Sequence, residues 1–230
     1  QMLLGVGAVA TKTYVDDVFS TYLWEGDGNS GRTITNNIDV SGEGALVWMK
    51  SRSTGNVNVL FDTERGANQR LRSDSNLGQN NTDTLQPSFT SSGFTVGSGN
   101  EVNGSGNDYT SWTFRKAPGF FDVVTYSGNS TNRTIAHSLG SIPGFIIVKC
   151  LTETYEWHCY HRDVGNNKIL EFNNSSGAST SGFWNNTDPT ATHFSVGTNA
   201  GVNGNGQSYV AYVFAGGEST NALARSVDMD

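Results

Sequence analysis

The chain has 230 residues, a formal net charge of −7, 35% hydrophobic and 15% charged residues, 28 glycines and two cysteines. Its length covers one large or two small domains with cores to bury, while the acidic balance offers no basic stripe for phosphate neutralisation and argues against a nucleic-acid partner. No run approaches the roughly 20 apolar residues of a membrane span, so no membrane partner is expected, and scarce charge beside abundant Gly, Asn, Ser and Thr describes an all-β protein with polar loops rather than a helical enzyme.

Residues 1–18 are expected to form an N-terminal arm. Ala8-Val9-Ala10 has the small-residue form of a signal-peptidase site, but no basic stretch precedes it, which gives the reading of a cut or processed start. The rival reading is an arm buried against another copy of the chain: Met2, Leu3, Leu4, Val6 and Val9 are too few for a core, and burying each large side chain is worth roughly 1.5–3 kcal/mol, so a homo-oligomer is expected. Thr13-Tyr14-Val15-Asp16 has the spacing of a helix cap followed by an acidic third residue. Val15, Val18, Phe19 and Tyr22 recur at helical intervals, which predicts one short helix.

From there the period changes to two. Strands are expected over residues 21–25, 44–52, 57–62, 70–73, 93–97 and 108–116, and again over 122–126, 144–151, 156–162, 168–172, 193–197 and 208–215. Lys116-Ala117-Pro118-Gly119 and Gly216-Gly217-Glu218-Ser219-Thr220 interrupt the pattern as linkers. Four segments result: the arm, a first β-sandwich repeat over 19–117, a second over 118–217, and a C-terminal tail or linker over 218–230.

The two central segments repeat one another. VNGSGNDYTSWTF at residues 102–114 returns 100 residues later as VNGNGQSYVAYVF, and the same offset aligns Phe94, Val96 and Gly97 with Phe194, Val196 and Gly197. Arg32-Thr33-Ile34 similarly matches Arg133-Thr134-Ile135, and Val47-Trp48-Met49-Lys50 matches Ile146-Ile147-Val148-Lys149. A unit of this length is too long for a solenoid or propeller repeat and suits a whole domain. The expected fold is therefore all-β, with two tandem homologous halves, each a jelly-roll-like β-sandwich. Within the repeat, VNGxG reads as an exposed turn at Gly104 and Gly204, and the larger side chains Trp112, Phe114, Tyr212 and Phe214 are expected to face inward.

The motifs that could carry chemistry mostly have plainer readings. Gly26 to Gly31 fits G-x-G-x-x-G, yet the β-like Arg32-Thr33-Ile34-Thr35 follows where a dinucleotide site needs a helix. Asp27-x-Asn29-x-Gly31 opens like a calcium loop but has Ile38 at the twelfth position. His158 and His161 stand three apart, which on a strand sends them to opposite faces; Cys159 and His161 could share a face, with Cys150 opposite, but no fourth ligand is visible, and the expectation is no metal and no cofactor. Cys150 and Cys159 are expected to be two separate thiols, since cross-strand geometry is demanding; if a hairpin turns at Thr152–Tyr155, the alternative is that they face each other. Asp62 with Glu64 and Glu153 with Glu156 read as solvated turn or edge carboxylates rather than an acid and a base. The expected ligand site is the loop of Trp184, Asn185, Asn186 and Asp188, because rings stack on sugar C–H faces while amides and carboxylates bind hydroxyls. Against it stands the plainer and preferred reading, that Trp184 plugs the end of the sandwich.

TYVDDVFSTYLWEGDG at residues 13–28, LFDTERG at 60–66, SWTFRKAPGFFDVVTYSGN at 111–129, HSLGSIPGFIIVK at 137–149 and YVAYVFA at 209–215 together resemble an uncharacterised domain of marine phage virion proteins. That domain recurs above all in cyanophages, often beside laminin-G-like domains, and residues 224–228 resemble the lead into such a neighbour. The resemblance implies a virion location, other virion proteins as partners and no carried-over catalytic residues. The expected function is accordingly a non-enzymatic surface protein, a tail fibre, spike or appendage contacting host-surface polysaccharide. A capsid decoration or fibre-assembly subunit touching only virion proteins is the first alternative. A polysaccharide-degrading spike is the second.

Overall fold

The computed structural model describes residues 13–81, 85, 87–217 and 227–228. The expectations for the arm before Thr13 and for the tail from residue 218 to 226 lie outside the described residues.

All twelve strands expected from the period-two pattern are present, and the fold is all-β. Phe19–Glu25, Asp108–Arg115, Ala45–Ser51, Val59–Asp62, Gln69–Arg72 and Asn80–Asn81 lie side by side in that order in one antiparallel sheet. Phe121–Ser127, Ser208–Ala215, Pro143–Cys150, His158–His161, Lys168–Glu171 and Ser179–Thr180 form a second. In both sheets the half's last strand lies between its first and third, followed by the fourth, fifth and sixth; the first half has one more short strand, Phe89–Thr90. Each large sheet is accompanied by a small one: Arg32–Thr35 with Gly93–Val96 and Phe89–Thr90 in the first half, Arg133–Ala136 with His193–Val196 in the second.

Alternation along the strands sorts side chains into three cores. Val47, Met49, Val59, Phe61 and Tyr109 turn one way to meet Ile34, Phe94 and Val96 of the small sheet. Ile146, Val148, Tyr160, Tyr209, Ala211 and Val213 do the same against Ile135, Phe194 and Val196. The opposite faces of the two large sheets bury Leu46, Leu60 and Leu71 against Phe121, Val123, Ile147, Trp157 and Tyr212. The molecule is thus a four-layer stack, small sheet on large sheet, large sheet on small sheet. Both faces of each large sheet are covered.

This arrangement corrects the expected direction of the large residues of the repeat. Trp112, Phe114 and Phe214 are half-buried, Tyr212 is fully buried, and Phe114, Tyr212 and Phe214 lie in the seam between the halves rather than in the core of either one. Inside each half the smaller set faces inward: Tyr109, Ser111 and Thr113, and Tyr209, Ala211 and Val213, are buried. A sheet with two buried faces has two inward directions, and bulk alone does not distinguish them.

The expected helix is a single turn, Val15–Val18, and the backbone N–H of its N-cap residue Tyr14 donates to Asp17 Oδ2 at 2.8 Å. Phe19 already pairs with Phe114 in the large sheet, and ladder hydrogen bonding ends the helix there. Two further short turns, Val40–Glu43 and Ala200–Asn203, are capped by the side chains of Asp39 and Asn199.

Candidate functional site

The repeated VNGxG motif is a clasp, and this corrects its reading as an exposed turn. Gly104 and Gly204 are buried. Asn103 Nδ2 donates to Asp27 Oδ1 at 2.7 Å and to the Asn29 carbonyl at 2.9 Å, while Asn203 Nδ2 donates to the carbonyls of Thr131 and Gly197, both at 2.7 Å. The N–H of Gly104 donates to the Tyr109 hydroxyl at 2.8 Å, and that of Gly204 to Tyr209 at 2.7 Å. A Cβ on Gly26 or Gly128 would stand 2.2 or 2.1 Å from the carbonyl oxygen of Gly104 or Gly204, so only glycine lets these loops close. Trp24 stacks on Tyr109 at 5.5 Å, and Tyr126 on Tyr209 at 5.1 Å. The residues that the sequence states twice hold loops to strands in the same way twice, and the glycine-rich match at Gly26 is part of that scaffold.

The Trp184 loop does not offer a stacking platform. The Trp184 side chain is 2% exposed and sits with its ring across Tyr160 at 6.0 Å and 78°. This is the plug reading. Asn185 and Asn186 follow with φ of 51° and 46°, and Asp188 accepts from Asn166 Nδ2 at 2.7 Å. These three polar residues stay at or near the surface, but the ring meant to stand beside them is in the core.

The two thiols are separate. Phe145 pairs with His161 and Ile147 with Cys159, a register that leaves Cys150 in the core of the second half and Cys159 in the seam. The facing pair required a turn at Thr152–Tyr155; the observed register is shifted by an odd number of residues, which puts them on opposite faces. Both are free and buried, and burial pushes the Cys159 thiol up to about 12. His158 and His161 likewise diverge. Burial pulls His158 down to about 4, and its ring lies 4.5 Å from that of Phe183. Among the described residues no cluster of three or more His, Cys, Asp or Glu could hold a metal ion.

The seam contains the chemistry that sequence reasoning missed. Arg65 Nε meets Asp62 Oδ2 at 2.5 Å with both side chains almost wholly buried, and the Tyr212 hydroxyl of the other half donates to the same carboxylate oxygen at 2.8 Å. Burial first, then the neighbouring Asp62 carboxylate working against the Arg65 cation, hold the Tyr212 hydroxyl well above its ordinary value. It therefore stays protonated and donating. Asp62 was expected to be a solvated turn residue; the structure makes it 0% exposed. Lys149 Nζ donates to the carbonyls of Asn76, Cys150 and Tyr155 at 3.0, 3.0 and 2.8 Å, which ties the second half to the first. Desolvation lowers its ammonium to about 8. The Trp157 indole N–H crosses the seam as well, to the carbonyls of Arg72 and Ser75.

Beside these contacts the seam opens into a groove of about 420 Å³, lined by Trp48, Asn58, Ser73 and Asp74 from the first half and by Phe172, Asn173, Asn174 and Ser175 from the second. Phe172 is 42% exposed and meets Trp48 edge-on at 5.6 Å. Trp48 in turn pairs across the sheet with Trp112, ring to ring at 6.0 Å. Aromatic surface beside amides was the arrangement expected at Trp184. It occurs here instead, with Trp48, Asn58, Ser73 and Asp74 brought by the fold against residues 172–175.

These features define a layered β protein whose buried polar groups join its parts and whose mixed aromatic and amide surface lies at the seam. A family profile described as a domain of unknown function, DUF7483, matches residues 15–221, so the chain belongs to that family. No curated protein and no solved structure matches it.

Proposed function

We propose that the chain is a non-enzymatic module on the surface of a phage virion, within a tail fibre, spike or appendage, and that it contacts the host surface. The observation that carries the non-enzymatic part is the use made of buried charge. Asp62 is bound by Arg65 and Tyr212; Asp122 accepts from the Ser138 backbone and hydroxyl at 2.7 and 2.9 Å and stands 3.3 Å from Lys116. Lys149 is enclosed by three carbonyls. A general acid or base must reach a substrate proton at hydrogen-bond distance, and groups bound in this way serve the scaffold. The resemblance spanning residues 13–215 supplies the virion part.

The decoration or assembly reading draws support from a different observation. Leu23 and Ile142 are 56% and 60% exposed on the outside of the stack, as contacts to other virion proteins would require. Purified particles from the genome that encodes the chain decide the location: mass spectrometry should find its peptides in the intact particle. Detection in the producing cell alone, with none in washed particles, would refute the proposal. Incubating the purified chain with host polysaccharide should release no reducing sugar; release would establish the degrading spike.

A further inference from the structure

We propose that the groove at the seam is a binding site for a neutral oligosaccharide, with Phe172 and Trp48 as its apolar wall and Asn58, Asn173, Asn174 and Asp74 as its polar one. The inference rests on the surface-module reading and names the class of ligand for it.

Size, wall chemistry and charge agree. A volume of about 420 Å³ falls within the range of small-ligand sites, roughly 300–1,000 Å³. A sugar ring presents a C–H face and a rim of hydroxyls. The first matches exposed Phe172 backed by Trp48, and the second matches amides, which donate and accept at once. Asn58, partly exposed, adds an amide to the polar wall. Asn173 is held in place: its Oδ1 accepts from the Trp157 N–H at 2.9 Å and its Nδ2 donates to Glu156 Oε2. Asn174 is fixed similarly, donating to Glu171 and accepting from the Ser176 N–H at 2.8 Å. Such bonds pre-organise the amides, which lowers the entropy cost of binding. The lining carries one carboxylate, Asp74, and no cation. That composition disfavours phosphate, sulfate and uronate polymers and leaves neutral sugars.

The site is complete only where both halves meet, since each supplies one ring and part of the polar wall. The packing of the large sheets therefore does more than stabilise the fold. It builds the groove.

The test titrates the purified chain with neutral gluco-, xylo-, manno-, galacto- and rhamno-oligosaccharides of four to six sugars, with a sulfated oligosaccharide as the charged control. Amide and indole signals are followed by nuclear magnetic resonance. At least one neutral series should saturate and shift the Trp48 indole together with the amides of residues 172–175. Phe172→Ala should weaken that binding about tenfold, in line with the loss of one aromatic contact. Asn174→Ala, an exposed change that spares the core, should weaken it in the same direction, and Leu77→Ala, an exposed apolar residue outside the lining, should not. Saturation at other residues, binding of the sulfated control alone, or no neutral binding up to about 10 mM would each overturn the site. Because binding is read on the isolated chain and location on the particle, the two proposals fail separately.

Discussion

Replacing Asp62 by alanine strands a cation in the seam. Arg65 is then left with its guanidinium about 1% exposed, its N–H groups still donating to the carbonyls of Gln69 at 2.8 Å and Leu60 at 3.3 Å, but with no counter-charge. Removing one partner of a buried pair costs about 3–5 kcal/mol, because the remaining charge stays desolvated. The Tyr212 hydroxyl loses its acceptor in the same step. Tyr212→Phe instead removes the hydroxyl's bond to Asp62 and the longer one it accepts from Arg65 at 3.3 Å, but leaves the ion pair, so its cost should be nearer 1.5–3 kcal/mol. The double variant Asp62→Ala/Arg65→Met removes both charges and should recover a large part of the loss, since an apolar replacement of a buried pair is often close to neutral. Urea titrations followed by tryptophan fluorescence give all three values by linear extrapolation. A loss below about 1 kcal/mol for Asp62→Ala would place Asp62 in water and refute the buried seam.

Burial of His158 makes the fold acid-sensitive. The unfolded chain takes up this proton near 6.5 and the folded chain only near 4. Stability should fall as pH drops through that window, by at most about 3 kcal/mol, and His158→Leu should flatten the slope in urea titrations at pH 7 and pH 4.5. Phe214→Ala opens a gap against Phe114, Phe121 and Phe145, whose ring centroids lie 4.8–6.0 Å away; because the ring is half-buried, the cost should be about 2–3 kcal/mol, below the usual 3–5 for a core aromatic. Neither Cys150 nor Cys159 should react with a thiol reagent until urea unfolds the chain, and air oxidation should leave them unlinked. Gly128→Ala should destabilise by more than about 1 kcal/mol, read by the same titration, since its new methyl group overlaps the Gly204 carbonyl.

Strands and repeat were legible because they are local signals. Alternation in Tyr109 to Phe114 and the return of the same pattern at Tyr209 to Phe214 need no knowledge of the fold. The direction of each face was not legible. In a sheet covered on one side, apolar residues mark the inside; here Val47 and Leu46 are both buried, in different cores, and the pattern states only that two faces exist. The clasp at Asn103 was half visible: the glycines were read as a bend, but its hydrogen bonds run to residues more than 70 positions earlier. Trp184 misled for a related reason. An aromatic beside Asn185 and Asn186 looks like a ligand wall until a distant Tyr160 covers it. The groove joins Trp48 to Phe172, and the one local trace of it was the run of polar residues from Asn173 to Ser176.

A density map of the intact particle encoded with this chain tests the proposed function most directly. The four-layer stack should fit density on the outer surface, in a fibre, spike or appendage, with Phe172 and the seam groove turned to solvent. Absence of the stack from the particle would contradict the virion reading. Its presence with the groove closed against another virion protein would contradict host contact through that groove and support an assembly subunit.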